Sequence, residues 1–110
     1  MPKRRPIVGI PCDIKLIEKL PFHSVGGKYV EAVREIVGAT PVLIPVTQNP
    51  LEADEILALV DGIFLTGSAS NVAPERYGLK NAPDMRLDPQ RDATTLALIP
   101  AIIESGKPLF

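Results

Sequence analysis

The chain is poor in the residues that most often bind metals or form disulfide bonds. It contains one cysteine, Cys12, one histidine, His23, and no tryptophan among 110 residues. A single cysteine cannot form an internal disulfide, which agrees with a reducing compartment. Metal sites usually gather at least about three such ligands, so Cys12 and His23 do not predict a metal site.

The chain also has no large excess of charge of one sign and no long hydrophobic run. The formal net charge is −1, so no basic surface field favours a nucleic acid or an anionic membrane. No stretch approaches the roughly 20 apolar residues of a membrane span, and the N-terminus lacks the pattern of a secretory signal. We therefore expect a cytoplasmic protein without nucleic-acid or membrane partners.

Hydrophobic residues make up 45% of the chain and fall into short runs that alternate with helical patterns. The runs are apolar on both faces and are bounded by proline, glycine or aspartate, as in buried strands. The last four residues, 107–110, resemble the start of one more buried strand, so the chain is expected to stop inside an element. Strands are predicted at 6–11, 40–45 and 61–66, and helices at 28–37, 50–59 and 88–106.

The order of these elements predicts one small α/β domain with a parallel sheet covered by helices on each side. Ligands of such sheets bind at the carboxyl ends of the strands. The stretch 67–87 follows the third strand and is about 20 residues long, against roughly 2 to 6 for an ordinary connection. We therefore expect the functional site in this stretch.

Common α/β chemistries fit these strand ends poorly. The first strand is followed by Pro11-Cys12-Asp13-Ile14-Lys15 and not by the G-x-G-x-x-G of a dinucleotide site. Gly26-Gly27-Lys28 lacks the spacing and the hydroxyl residue of a P-loop, and Asp13 alone does not make a phosphoryl-receiver site. Nothing near Cys12 in the sequence supplies a base that would activate its thiol, so a small semi-buried residue is the favoured interpretation.

The segment 61–78 begins Asp61-Gly62-Ile63-Phe64-Leu65-Thr66-Gly67 and carries a family resemblance. It is similar to the D-G-(I/L)-x-L-x-G-(G/S)-x-x-N-V-x-P-x-x-Y stretch of the γ-glutamyl-γ-aminobutyrate hydrolases. This family is of the peptidase C26 type, a branch of the class I glutamine amidotransferase-like proteins. Segments 5–10, 29–33 with 38–45, and 88–92 fit the same family in the same order. The resemblance implies a flavodoxin-like parallel sheet sandwiched between helices, with residues 1–110 as the N-terminal part of a single domain.

The resemblance also implies a chemistry. A cysteine on a tight turn after a strand attacks a γ-glutamyl amide, and a downstream histidine and glutamate complete the triad, without metal or organic cofactor. The family's G-(I/V)-C-R-G turn would begin just after Phe110, so this truncated chain alone is expected to be inactive. A small γ-glutamyl amide is the implied substrate, and a homodimer is left open.

Five residues are candidates for the site on the strength of this resemblance. Gly67 and Ser68 would supply backbone N–H donors to the oxyanion, although related amidotransferases more often have two glycines there. Asn71, Tyr77 and Arg91 would line the γ-glutamyl pocket, where an arginine suits a substrate carboxylate. Four of the five have a structural alternative: Gly67 as a turn glycine, Asn71 closing a turn, Tyr77 packing under the loop, and Arg91 at a helix N-terminus.

Two other readings of the function stay open at this point. The parent protein could be a glutamine amidotransferase that donates ammonia to a synthase partner. Alternatively, the chain could be non-catalytic, either as a natural truncation or as a binding module that has lost its nucleophile. A sheet without its following strands would expose Phe64, Leu65, Leu109 and Phe110, so we expect the isolated chain to aggregate or to need a complementing fragment.

Overall fold

The fold is built on a parallel sheet of three strands with three helices packed around it. The computed structural model describes residues 4–66 and 89–110. A π-helical segment, Val33–Val37, continues α1 without a break. The elements are β1 (Ile7–Pro11), β2 (Asp13–Ile17), β3 (Leu20–Ser24), α1 (Gly27–Ala32), β4 (Thr40–Ile44), α2 (Ala53–Leu59), β5 (Gly62–Ile63) and α3 (Pro89–Ser105).

β1 is the central strand of the sheet, and the order is β4, β1, β5. It pairs in parallel with β4 from Ile7 opposite Thr40 to Pro11 opposite Ile44, and in parallel with β5 through Val8 and Gly9. The predicted parallel α/β sheet is therefore confirmed. All three strands end at the same edge, which we call the carboxyl edge, and begin at the opposite, amino edge.

The chain end, which the sequence predicted only as the start of a further buried strand, lies beside β5. Leu109 forms a parallel bridge with Ile63, and the Phe110 N–H donates to the Ile63 carbonyl at 2.9 Å. Leu109 and Phe110 are exposed as expected. Phe64 and Leu65 are only partly exposed. Phe64 packs near Tyr29, with ring centroids 6.0 Å apart, and Leu65 packs against a hydrophobic cluster that includes Ile63.

Helices cover both faces of the sheet, as predicted. The first helical region packs Val33 against Val8 and Ile10 on one face. α2 and α3 form a larger hydrophobic cluster on the other face, around Ile63. The buried members of that cluster are Ile44, Ile56, Leu57, Val60, Ile63, Leu98 and Ile102.

The helix ends follow local signals in the sequence. Gly38 terminates the first helical region in the left-handed conformation, with φ of 76°, as predicted for a C-cap. α2 begins at Ala53, later than the predicted position 50, because Glu52 and Glu55 form a reciprocal capping box. α3 matches its prediction and continues through Pro100.

A β-hairpin that the sequence analysis missed lies between β1 and α1. β2 and β3 pair antiparallel from Asp13 opposite Ser24 to Ile17 opposite Leu20. Their two-residue turn places Glu18 and Lys19 at φ of 50° and 67°, where asparagine and glycine are the usual residues. The turn therefore has no recognisable sequence signature. Four large apolar side chains of the hairpin are exposed: Leu16, Ile17, Leu20 and Phe22.

The edge strand β4 is less buried than predicted, since Val42 and Leu43 are exposed. Within residues 4–66 and 89–110, no helix has the length and apolar character needed to cross a membrane. The same part of the chain brings no three histidine, cysteine, aspartate or glutamate residues together as a potential metal site.

Candidate functional site

The carboxyl edge gathers polar contacts around the first turn of α3. Parallel strands end together there, and a helix that begins at this edge can reach the backbone that follows each strand. The side chains of Gln90 and Arg91, in this first turn, make such contacts. They connect segments that are far apart in the sequence.

Arg91 joins two of the strand ends. Its Nε lies 3.0 Å from Oδ1 of Asp13, just after β1, and its Nη2 donates to the Thr66 carbonyl at 2.8 Å, just after β5. The side chains of Arg91 and Asp13 are 15% and 28% exposed. This ion pair is therefore well shielded from water, where electrostatic attraction is stronger than at the surface.

Gln90 joins the third strand end. Its Nε2 donates to the Val46 carbonyl at 2.6 Å, two residues after β4, and Val46 itself is fully buried. The Cys12 N–H adds a link along the edge, since it donates to the Ile44 carbonyl at 3.0 Å. One helical turn thus contacts the chain after each of the three parallel strands.

Polar residues in the interior continue from this turn into α3. Asp92 and Thr94 are almost completely buried, and the Thr95 hydroxyl donates to the Arg91 carbonyl at 2.9 Å. Buried polar groups in a helix are uncommon unless they are satisfied by a specific environment. The N-terminal half of α3 therefore buries polar side chains, whereas its C-terminal half buries apolar ones.

Cys12 lies at the carboxyl edge, but its environment opposes nucleophilic chemistry. The side chain is buried, and burial, together with the nearby Asp13 carboxylate, raises the pKa of the thiol to about 11. Reactive thiols instead have lowered pKa values. Cys12 is therefore protonated at neutral pH, and it is more buried than the semi-buried residue that the sequence predicted. His23 lies exposed on β3.

The predicted site residues divide into two groups. Gly67, Ser68, Asn71 and Tyr77 lie outside the described residues, so their roles stay predictions. Arg91 is described, and its contacts are with protein groups at the helix start, although its role toward a substrate also stays a prediction.

The sequence analysis missed two participants, Asp13 and Gln90. Asp13 carried a weak signal, because it follows a buried strand at the edge where functional groups gather. Gln90 lies within the segment 88–92 that resembles the family, yet nothing in that segment indicates that its amide reaches the chain after β4.

The fold and this edge define an α/β protein with a parallel sheet and a site expected at its carboxyl edge. Comparison with known proteins identifies the family within this class. The family model of peptidase C26 matches residues 6–110, and the chain belongs to this family.

Named relatives are similar over nearly the whole chain. It is 32% identical to a gamma-glutamyl-gamma-aminobutyrate hydrolase of Escherichia coli O157:H7 over 106 residues, which is 96% of the chain and 41% of the relative. A glutamine amidotransferase-like protein of Lactococcus lactis is 40% identical over 109 residues, 94% of the chain and 44% of that protein. Another from Rickettsia prowazekii is 25% identical over 115 residues, 98% of the chain and 40% of that protein. The chain thus spans less than half the length of these relatives.

Proposed function

We propose that the natural gene product, the polypeptide that the gene encodes, is a thiol hydrolase of γ-glutamyl amides. Its substrate would be γ-glutamyl-γ-aminobutyrate or a similar small γ-glutamyl compound. Residues 1–110 would form the N-terminal part of a single class I glutamine amidotransferase-like domain. The observation that carries the proposal is the match of residues 6–110 to the peptidase C26 family, with a relative of that named activity at 32% identity.

The strand order supports the finer assignment of the fold. Numbered along the chain, the parallel strands β4, β1 and β5 stand in the order 2-1-3. Leu109 bridges to Ile63 in β5, and a fourth strand beside the third is what a flavodoxin-like 2-1-3-4-5 sheet would have, so this bridge supports the proposal. A nucleophile that follows Phe110 would then emerge at the carboxyl edge, close to the residues after β5.

The proposed reaction proceeds through a thioester. A cysteine thiolate beyond Phe110 attacks the γ-carbonyl carbon, and the carbonyl oxygen becomes an oxyanion that accepts hydrogen bonds from the backbone N–H groups of Gly67 and Ser68. The C–N bond then breaks, and the amine leaves after taking a proton from the histidine. Water attacks the thioester, releases glutamate and restores the thiol.

The high pKa of Cys12 favours a nucleophile elsewhere in the gene product. At a pKa of about 11, the thiolate fraction of Cys12 at neutral pH is negligible. Asn71, Tyr77 and Arg91 are the proposed neighbours of the γ-glutamyl group, and no metal or organic cofactor takes part in the proposed steps.

The first experiment is to read the coding sequence past codon 110 and to assay the purified gene product. We expect a G-I-C-R-G turn or a close variant after Phe110, and release of γ-aminobutyrate from γ-glutamyl-γ-aminobutyrate. Replacement of the new cysteine by alanine should abolish the reaction, whereas Cys12→Ala should not. A stop codon, or a product that hydrolyses no γ-glutamyl amide, would contradict the proposal.

The same assay distinguishes the hydrolase from the amidotransferase alternative, which the names of two relatives suggest. Glutamine as the preferred substrate, with activity that rises when a synthase is added, would favour that alternative. Preference for γ-glutamyl-γ-aminobutyrate without any partner would favour the hydrolase.

A further inference from the structure

We propose that the β2–β3 hairpin is a dimerisation arm, whose exposed apolar side chains pack against the same hairpin of a second copy of this chain. The proposal goes beyond the proposed function and does not depend on it. Every residue from 15 to 23 is exposed. The large apolar side chains among them are Leu16 (69% exposed), Ile17 (43%), Leu20 (61%) and Phe22 (45%). An exposed apolar patch of this kind marks an interaction surface on a soluble protein.

The rest of the fold supports the hairpin only at its base. β2 and β3 form a two-stranded sheet of their own, separate from the parallel sheet. Within residues 4–66 and 89–110, the main packing partner of the hairpin is α3, where Asp13 Oδ1 lies 3.0 Å from Arg91 Nε. A two-stranded hairpin by itself is marginally stable at best in water. Burial of its outer part against a partner would therefore stabilise it.

The hairpin is suited to contact through a face and not through an edge. Ile17 lies opposite Leu20, and Lys15 lies opposite Phe22. Because side chains alternate between the two faces of a strand, Ile17, Leu20 and Phe22 share one face. Pro21 has no N–H and, in a paired strand, turns its nitrogen away from the neighbouring strand. The outer edge of β3 therefore lacks a donor there and is poorly suited to pairing with a further strand.

The charges of the hairpin favour a second copy as the partner. Lys15, Glu18 and Lys19 surround the apolar side chains, and an apolar centre with a charged rim is typical of protein interfaces. In a two-fold symmetric dimer every contact occurs twice, so Glu18 of each copy can meet a lysine of the other. At an anionic membrane surface, Glu18 at the tip of the hairpin would instead meet charge of its own sign.

The size of the patch and the course of the chain agree with this partner. The four side chains expose on the order of 400 Å², about half of the roughly 800 Å² that each partner contributes to a standard interface. The patch therefore fits the centre of a small dimer interface. The chain end joins the parallel sheet beside β5, so growth of that sheet does not by itself cover the hairpin.

The first test is sedimentation velocity of the natural gene product over a range of concentrations. We expect a dimer whose dissociation constant rises about tenfold or more in Leu20→Ser and in Phe22→Ser, because each substitution removes two apolar side chains from the centre of a symmetric interface. The far-UV circular dichroism of both variants should stay that of the wild type, since the replaced side chains are exposed in one copy. The matched control is Leu59→Ser, because Leu59 is 72% exposed on α2, and it should leave the dissociation constant unchanged.

Three results of this test would overturn the proposal. The wild type could remain monomeric at every concentration. The dimer could be unaffected by both hairpin substitutions, or Leu59→Ser could weaken it equally, and either result would place the interface elsewhere.

A mixing experiment tests the symmetric pairing of the hairpins. Glu18→Lys and Lys19→Glu should each raise the dissociation constant about two- to fivefold at low salt, since exposed charge pairs contribute little. Mixed in equal amounts, the two variants should form the heterodimer in preference to either homodimer. A random mixture of dimers would contradict a contact between the two hairpins.

Hydrogen exchange distinguishes the other possible occupants of the patch. Exchange of a peptide that spans 15–23 should slow as the concentration of the wild type rises, and this effect should be lost in Phe22→Ser. Slow exchange in a monomer, independent of concentration, would show that the remainder of the gene product covers the hairpin. Binding of the wild type, but not of Phe22→Ser, to phosphatidylserine-containing vesicles would show a membrane surface. Either result would overturn the proposal.

Discussion

The two edges of the sheet use similar polar contacts in different environments. At the carboxyl edge, Arg91 and Asp13 form an ion pair whose side chains are 15% and 28% exposed. At the amino edge, Arg4 and Asp61 approach within 3.6 Å, but their side chains are 70% and 46% exposed. We therefore expect the two arginine–aspartate pairs to differ in energy, since solvent screening weakens the exposed pair while the shielded pair retains its attraction.

The edges also differ in what their contacts connect. At the amino edge, Asp61 accepts from the Ile7 N–H at 2.7 Å, so the contact joins two strand starts that already pair through the sheet. At the carboxyl edge, Gln90 and Arg91 join α3 to backbone that lies beyond the strands. We therefore expect substitutions at the carboxyl edge to have the larger effects on both stability and activity.

The largest effect on stability is expected for Arg91→Met in the natural gene product. It leaves the shielded carboxylate of Asp13 without the guanidinium and removes a donor from Thr66, so the free energy of unfolding should fall by about 2 to 3 kcal/mol. Urea denaturation measures this change. Arg5 is the matched control at the amino edge, where its Nη1 donates to the Gly38 carbonyl at 3.2 Å. The same substitution at Arg5 should cost a few tenths of a kcal/mol, and equal losses at the two positions would remove the distinction between the edges.

A pH-dependent loss of folding stability is expected from the ionisation of Cys12, which also lies at the carboxyl edge. The folded state keeps the thiol proton up to a pKa of about 11, while the unfolded chain releases it at the ordinary, lower pKa. The stabilisation is therefore complete below the ordinary thiol pKa and disappears as the pH rises toward 11, by a total on the order of 2 kcal/mol. Denaturation at a series of alkaline pH values should show a steeper fall for the wild type than for Cys12→Ala, and parallel curves would contradict this prediction.

A smaller effect is expected at the amino edge from Gly38→Ala. Gly38 has φ of 76° with open space around its Cα, so alanine would cost about 1 kcal/mol through backbone strain alone. Gly27→Ala is the matched control, because Gly27 begins α1 without a positive φ and also has open space around it. Thermal unfolding should show a lower Tm for Gly38→Ala only. A similar Tm for both variants would mean that the turn does not require this conformation.

The smallest effect is expected from Arg4→Ala at the same edge. The exposed pair with Asp61 should contribute a few tenths of a kcal/mol at most, and addition of salt should remove even that. A loss of unfolding free energy above about 1 kcal/mol in urea denaturation would show that the Arg4–Asp61 pair stabilises the amino edge more than its exposure predicts.

The sequence predicted the elements whose signals are local. The strand at 6–11 and the helix at 88–106 were recognisable because apolar runs and helical spacing reflect burial directly. The hairpin was missed, because Glu18 and Lys19 adopt a turn for which they are unusual residues. Phe64 is less exposed than predicted because its ring packs toward Tyr29, a contact between distant segments.

The candidate site was predictable only as a location. The rule that ligands bind at strand ends led to the carboxyl edge, and the family resemblance suggested Arg91. The partners of Arg91 were not predictable, since the contacts with Asp13 and Thr66 depend on how α3 packs against the sheet. The roles of Gly67, Ser68, Asn71 and Tyr77 stay predictions.

The most direct measurement of the difference between the edges is a pair of double-mutant cycles on the free energy of unfolding of the natural gene product. One cycle combines Asp13→Asn with Arg91→Met, and the other combines Asp61→Asn with Arg4→Met. We predict a coupling energy of about 1 to 2 kcal/mol for the shielded pair and below about 0.5 kcal/mol for the exposed pair. Equal coupling energies, or a larger value at the amino edge, would contradict the conclusion that the first turn of α3 holds the carboxyl edge together.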